Sequence, residues 1–210
     1  RYFFDAAVSH SEIPSLDDKR RQHIEPASKR PHERPLGAVE MMYSAAEIGA
    51  RVGALAADIA DAMGPDIMVV AVLKGGFVFT ADLLRALHHH GVHPRIDFMT
   101  LSSYGTGTES SGEVVITRDI TDNVRGAKIL LIDDILESGR TLAFARALLQ
   151  ERGAEMVRLC VLLDKPEKRK TDLNADYVGF SIGDAFVVGY GLDYAHYYRE
   201  LPFIGTISTD

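Results

Sequence analysis

Cysteine is almost absent from the 210 residues. Cys160 stands alone, so no intramolecular disulfide can form. It lies inside the apolar run Leu159-Cys160-Val161-Leu162 and reads as a buried strand thiol. This usage fits a reducing compartment, and a cytoplasmic protein is expected. An excess of positive charge is also missing: 23 Lys and Arg stand against 30 Asp and Glu, for a net charge of −7. That balance argues against sequence-blind nucleic-acid binding through a basic face. A small phosphorylated ligand stays open, because backbone N–H groups and a metal ion can reverse the field at one site. No apolar run approaches the ~20 residues that cross a bilayer, so no membrane partner is expected. The opening Arg1-Tyr2-Phe3-Phe4-Asp5 holds no apolar stretch of signal-peptide length. There is no internal repeat, no P-loop, no G-x-G-x-x-G, no G-x-S-x-G and no H-E-x-x-H. His88-His89-His90 does not replace them as a metal site, since three consecutive residues cannot share one helix face.

Residues 1–38 differ from the rest. They hold four of the eight prolines, seven basic and six acidic residues, and little apolar periodicity. They read as an arm that orders only on docking. From Val39 onward, strand and helix patterns alternate. Ser44-Ala45-Ala46-Glu47 is a capping box, followed by Ile48, Val52, Leu55 and Ile59 at helical spacing and closed by Gly64-Pro65. Ile67–Leu73 is a continuous apolar, β-branched run, as in a strand buried on both faces. Lys74-Gly75-Gly76 interrupts it, and Phe77–Leu87 reads as a helix. Further strands are expected at Arg95–Ser103, Val114–Ile120, Lys128–Ile132, Val157–Leu163, Asp176–Ile182 and Ala185–Tyr190, with a helix at Thr141–Arg152. Buried strands alternating with helices predict an α/β fold with a doubly wound, mostly parallel sheet over 39–210.

Asp133 and Asp134 fall at the carboxyl end of the strand Lys128–Ile132, the edge where open α/β sheets bind ligands. Ser138-Gly139-Arg140-Thr141 follows, where a helix begins. A Gly and two hydroxyls at a helix amino end aim backbone N–H groups at an anion. Carboxylates on one side and a phosphate cradle on the other match a cis-diol beside a phosphate, as in ribose 5-phosphate. Two alternatives compete on spacing alone: exposed turn acids with a Ser cap, or a receiver-type phosphoacceptor aspartate.

Leu130 to Thr141 resembles the phosphoribosyl-diphosphate signature of type I phosphoribosyltransferases. The order is an apolar strand, two acids, two apolar residues, an acid, a small hydroxyl, Gly, a variable residue and Thr. Within that group, the chain resembles hypoxanthine–guanine phosphoribosyltransferases from Val39 to Ile207. The resemblance implies a small hood region, a mobile active-site loop and Mg2+ as cofactor. The substrates would be phosphoribosyl diphosphate and a 6-oxopurine, and the assembly a homodimer or homotetramer. It implies that Asp133 and Asp134 bind the ribose hydroxyls and help place the metal, with Asp193 reaching a second metal. Glu137 would act at purine N7 as general base or hydrogen-bond partner; the family pattern carries Asp there, so Glu137 is a departure. Ser138, Gly139, Arg140 and Thr141 would hold the 5-phosphate. Lys74 and Gly75 would bind diphosphate after a non-proline cis peptide, together with Arg199. Ser103 and Tyr104 would open the mobile loop. Lys165 would donate to purine O6, Phe186 would stack on the base, and the backbone of Val187 would meet its edge. The same resemblance leaves room for a regulator that senses phosphoribosyl diphosphate, or for an enzyme acting on xanthine or a pyrimidine.

Overall fold

The structure is a computed structural model that describes residues 38–103 and 114–207. Nearly all of the expected arm at 1–38 and the whole stretch Tyr104–Gly112 lie outside the described residues.

The chain opens with β1 (Val39–Tyr43), α1 (Ala45–Met63), β2 (Met68–Leu73) and α2 (Phe77–His89). Then come β3 (Arg95–Ser103), β4 (Val114–Arg118), β5 (Lys128–Leu136), α3 (Arg140–Glu151) and β6 (Met156–Asp164). A 3-10 turn (Pro166–Lys168) leads to β7 (Tyr177–Ser181), β8 (Val187–Val188) and β9 (Ile204–Ile207). The capping box at Ser44 is present, with the Ser44 side chain accepting from the Glu47 N–H and the Glu47 side chain bonding the Ser44 N–H.

Six strands form the main sheet in the order β4-β3-β2-β5-β6-β7. Every pair is parallel except β3–β4. Alternate residues of the central strands feed two cores. Val69, Ala71, Leu130, Ile132, Cys160 and Leu162 pack with α1 and α2. Met68, Val70, Val72, Leu131 and Val161 pack with α3 on the other face. This is the doubly wound arrangement, and it explains the unbroken apolar strands: both faces are covered. Cys160 is buried, and that burial pushes its thiol pKa up, which keeps it from acting as a thiolate.

Two expectations need correction. β5 runs four residues past Ile132, so Asp133 and Asp134 belong to the strand and not to a turn beyond it. Its pairing with β2 stops at Ala71–Ile132, while its pairing with β6 continues to Leu136–Asp164. Beyond Ile132, then, one edge of β5 is open, and the acids lie on that overhang. The strand expected at Ala185–Tyr190 shrinks to two residues. Gly189 (φ 95°) and Tyr190 (φ 51°) enter the left-handed region, which ends an extended run. β8 joins β9 and β1 in a three-stranded antiparallel hood.

Candidate active site

Three segments meet at the β5 overhang. The first is the loop Lys74-Gly75-Gly76 between β2 and α2, entered through a cis Leu73–Lys74 peptide. The second is Asp133–Thr141. The third is the hood turn at 189–193. Their contact is close. A Cβ on Gly75 would fall 1.6 Å from Asp134 Oδ2, and one on Gly191 would fall 2.3 Å from the Gly75 carbonyl oxygen. Only glycine permits either approach.

Asp133 is buried and Asp134 half-buried. Burial first, and the neighbouring Asp134 charge second, hold the Asp133 carboxyl well above the usual carboxylate range. Asp133 Oδ1 accepts the Asp134 N–H at 2.9 Å. A pair of crowded acids is the donor set a hard cation relieves. Magnesium takes one or two protein carboxylates and fills its other positions with water and substrate oxygens. Asp133 and Asp134 fit that requirement. Asp193 does not join them. Its carboxylate pairs with Arg199 at 2.5 Å and accepts the His196 N–H at 2.8 Å. No group of three or more metal-binding side chains forms among the described residues.

The next stretch, Leu136–Gly139, is shaped from below. The Leu136 carbonyl accepts from the Lys165 N–H at 3.0 Å and from Arg169 Nη1 at 3.1 Å. The Glu137 carbonyl accepts from Arg169 Nη1 at 2.6 Å. The Ser138 carbonyl accepts from the Lys170 N–H at 3.0 Å and the Thr171 hydroxyl at 3.3 Å. Arg169 is itself anchored by an ion pair with Asp164. A trans peptide sets each N–H opposite the preceding carbonyl. With three carbonyls turned down onto this shelf, the N–H groups of Glu137, Ser138 and Gly139 turn away from it. Gly139, at φ 81°, is the residue before α3; it has no side chain to cap that helix end, and the Ser138 hydroxyl accepts the Arg140 N–H at 3.4 Å. The result is a polar cavity of about 250 Å³ lined by residues 133–139, Thr141 and Leu142. It has the geometry of a phosphate cradle beside two carboxylates. A larger cavity of about 690 Å³, lined by Phe77, Val78, Tyr190 and Leu201 among others, is mostly apolar and lacks that pair.

Lys165 stands on the neighbouring strand end, where Leu136 and Asp164 are in register. It is 5% exposed, and its Nζ lies 2.5 Å from Glu137 Oε1. The Glu137 carboxylate is half-exposed and lines the cavity, with the buried Lys165 ammonium directly beside it. Phe186 is 46% exposed and meets Tyr194 edge-on, with ring centroids 5.4 Å apart. Val187 is buried in β8. Arg199 is engaged within the hood, with Nη1 on the Gly191 carbonyl at 2.5 Å and Nη2 on Asp193. Ser103 closes β3, and Tyr104 lies outside the described residues. The expected residues Lys74, Gly75, Asp133, Asp134, Glu137, Ser138, Gly139, Arg140, Thr141 and Lys165 therefore sit on adjoining segments. Sequence reasoning missed the shelf Arg169-Lys170-Thr171, which follows no spacing rule and reads as an ordinary charged stretch after Pro166.

A domain model described as "Phosphoribosyl transferase domain" matches residues 38–195. The hypoxanthine phosphoribosyltransferase of Escherichia coli (strain K12) is 42% identical over 172 residues, 80% of this chain and 95% of that protein. The hypoxanthine-guanine phosphoribosyltransferase of Bacillus subtilis (strain 168) is 44% identical over 169 residues, 80% of this chain and 92% of that one. A crystal structure of a hypoxanthine phosphoribosyltransferase from Staphylococcus aureus superposes with a TM-score of 0.76 at 43% identity, covering 80% of this chain and 91% of that one. The chain belongs to the phosphoribosyltransferase family, within its hypoxanthine and hypoxanthine-guanine branch.

Proposed function

We propose that the protein transfers the 5-phosphoribosyl group from phosphoribosyl diphosphate to N9 of hypoxanthine, and of guanine, in purine salvage. The observation that carries this reading is the cavity that joins Asp133 and Asp134 to the 137–139 loop and Thr141, with Glu137 in its lining and paired to Lys165. Asp133 and Asp134 hold the ribose hydroxyls, and residues 137–141 hold the 5-phosphate through N–H groups and the hydroxyls of Ser138 and Thr141. Lys74 and Gly75 take the diphosphate. The bond between C1 of the ribose and the diphosphate oxygen breaks as the bond from N9 to C1 forms. The proton leaving the purine passes from N7 to the Glu137 carboxylate. Carboxylates near the ribose stabilise the positive charge that builds at C1. Bound at Asp133 and Asp134, magnesium supplies charge neutralisation for the departing diphosphate.

Lys165 donates to O6, and adenine, which carries a donor at that position, leaves the buried ammonium badly paired. Phe186 covers the base, and the backbone at Val187 reads its edge. Asp193 would serve as a metal ligand and Arg199 as a diphosphate ligand from the hood turn, where the two are paired with each other. The family resemblance supports a role for Ser103 at the start of an active-site loop; Tyr104 lies outside the described residues. Family resemblance supports a homodimer or homotetramer in the cytoplasm. No helix of the described residues is long and apolar enough to cross a membrane.

The direct test is conversion of radiolabelled hypoxanthine to a nucleotide with phosphoribosyl diphosphate and magnesium. Absence of product from folded protein sinks the reading. Competition with guanine, xanthine, adenine and uracil then ranks the bases and separates a xanthine or pyrimidine enzyme from this one. A regulator of the same fold would bind phosphoribosyl diphosphate without turnover. Glu137→Gln is expected to lower kcat about 100-fold, with affinity for phosphoribosyl diphosphate changed less than about threefold. Equal losses in both would remove Glu137 from proton transfer.

A further inference from the structure

The hood turn and the loop that opens α2 are in backbone contact. A Cβ on Gly191 would meet the Gly75 carbonyl oxygen at 2.3 Å and a Val78 methyl at 3.5 Å. On its outer side the turn is tied to Arg199, which bonds the Gly191 carbonyl at 2.5 Å and accepts the Gly191 N–H on its own carbonyl at 3.1 Å. On its inner side the Tyr190 hydroxyl donates to Asp82 Oδ2 at 2.5 Å. Asp82 belongs to α2, the helix whose amino end continues the Lys74-Gly75-Gly76 loop. Arg85 pairs with the other oxygen of Asp82, so the acceptor is held from both sides.

Tyr190 is 6% exposed and lies at φ 51°, a backbone state that bulky residues rarely adopt. Packing the ring needs no hydroxyl. The hydroxyl here makes a charge-assisted bond from the hood to the helix of the facing loop. Nothing in the transfer chemistry itself requires it.

We propose that Tyr190, acting through Asp82, is a positioning residue that couples the purine side of the site to the diphosphate loop. The inference rests on the assignment of purine to Phe186 and Val187 and of diphosphate to Lys74 and Gly75. The turn that follows Val187 lies on Gly75, and the Tyr190–Asp82 bond keeps it there. Filling either side fixes the turn against α2 and prepares the other. Each substrate thus tightens the other by the same factor, as linkage requires.

Tyr190→Phe removes only the hydroxyl. Initial rates measured over both substrates should show KM for phosphoribosyl diphosphate rising about fivefold or more, with kcat falling less than about twofold. The ratio of that KM at low and saturating hypoxanthine should move towards 1. Asp82→Asn keeps an acceptor without the charge and should fall between wild type and Asp82→Leu, which should reproduce Tyr190→Phe. The Tyr190→Phe/Asp82→Leu double variant should be no worse than either single change. A fall in Tm with both KM values unchanged would reduce the bond to a structural role and overturn the proposal. So would a loss confined to kcat, or an Asp82→Asn variant as impaired as Asp82→Leu. Wild-type protein without transferase activity would refute the functional reading by itself. Calorimetric titration with magnesium diphosphate then decides the positioning role: weaker binding by Tyr190→Phe supports it, and equal binding overturns it.

Discussion

Gly75→Ala should leave the protein folded and lower kcat/KM at least about 100-fold. The added methyl would stand 1.6 Å from Asp134 Oδ2 and 2.4 Å from its Cγ. No real contact is that short, so the Asp134 carboxylate must swing away. A short, half-buried side chain can do this at modest cost in stability, about 1–2 kcal/mol. The site pays more heavily, because the displaced group is one of the two carboxylates assigned to ribose and metal. A displacement of about 1 Å near reacting atoms costs on the order of 100-fold in rate. Kinetics and thermal melts on the same preparation check both halves. Activity within about threefold of wild type would show that Asp134 tolerates the shift and is not a close partner of the substrate. Gly49→Ala on α1, where nothing lies within 4 Å, is the matched control and should keep full activity.

Asp133→Asn should stabilise the protein at neutral pH while removing its activity. The Asp133 carboxyl is held above its ordinary range by burial and by Asp134, so the folded state resists its ionisation. Between the ordinary carboxylate pKa and the raised one, the folded chain keeps a proton that the unfolded chain has released. The contribution of this group to stability therefore falls as pH rises through that window and stays low above it. Asparagine cannot ionise and can still accept the Asp134 N–H. The gain should be absent near pH 3 and present at pH 8, on the order of 1 kcal/mol or about 2–4 °C in Tm at this chain length. Magnesium should raise the Tm of wild type and not of the variant. Turnover should drop at least about 100-fold. A variant less stable than wild type at pH 8 would show that the two acids do not repel as their burial implies.

Much of this is legible in the sequence. Lys74, Lys165 and the Ser-Gly-Arg-Thr segment follow strand ends, the acids follow the apolar run to Ile132, and such runs are readable in the sequence. The length of β5 is not. Asp133 and Asp134 are poor strand formers by composition, and only pairing with β6 carries the strand past them. The hood was half hidden for a similar reason. β8 is two residues long, β9 four, and each is held by partners far away in sequence. The Arg169 shelf and the Tyr190–Asp82 bond left no periodic trace, because each links one side chain to a distant element.

The Arg169-Lys170-Thr171 shelf bears on entropy as well as shape. Peptide planes already fixed by five hydrogen bonds have little freedom left to lose when an anion arrives. Ordering of that loop belongs to folding of the chain, and phosphate capture approaches a rigid docking event. Loosening the shelf would turn the same loop into one that must fold around its ligand, slower to close and weaker in its grip.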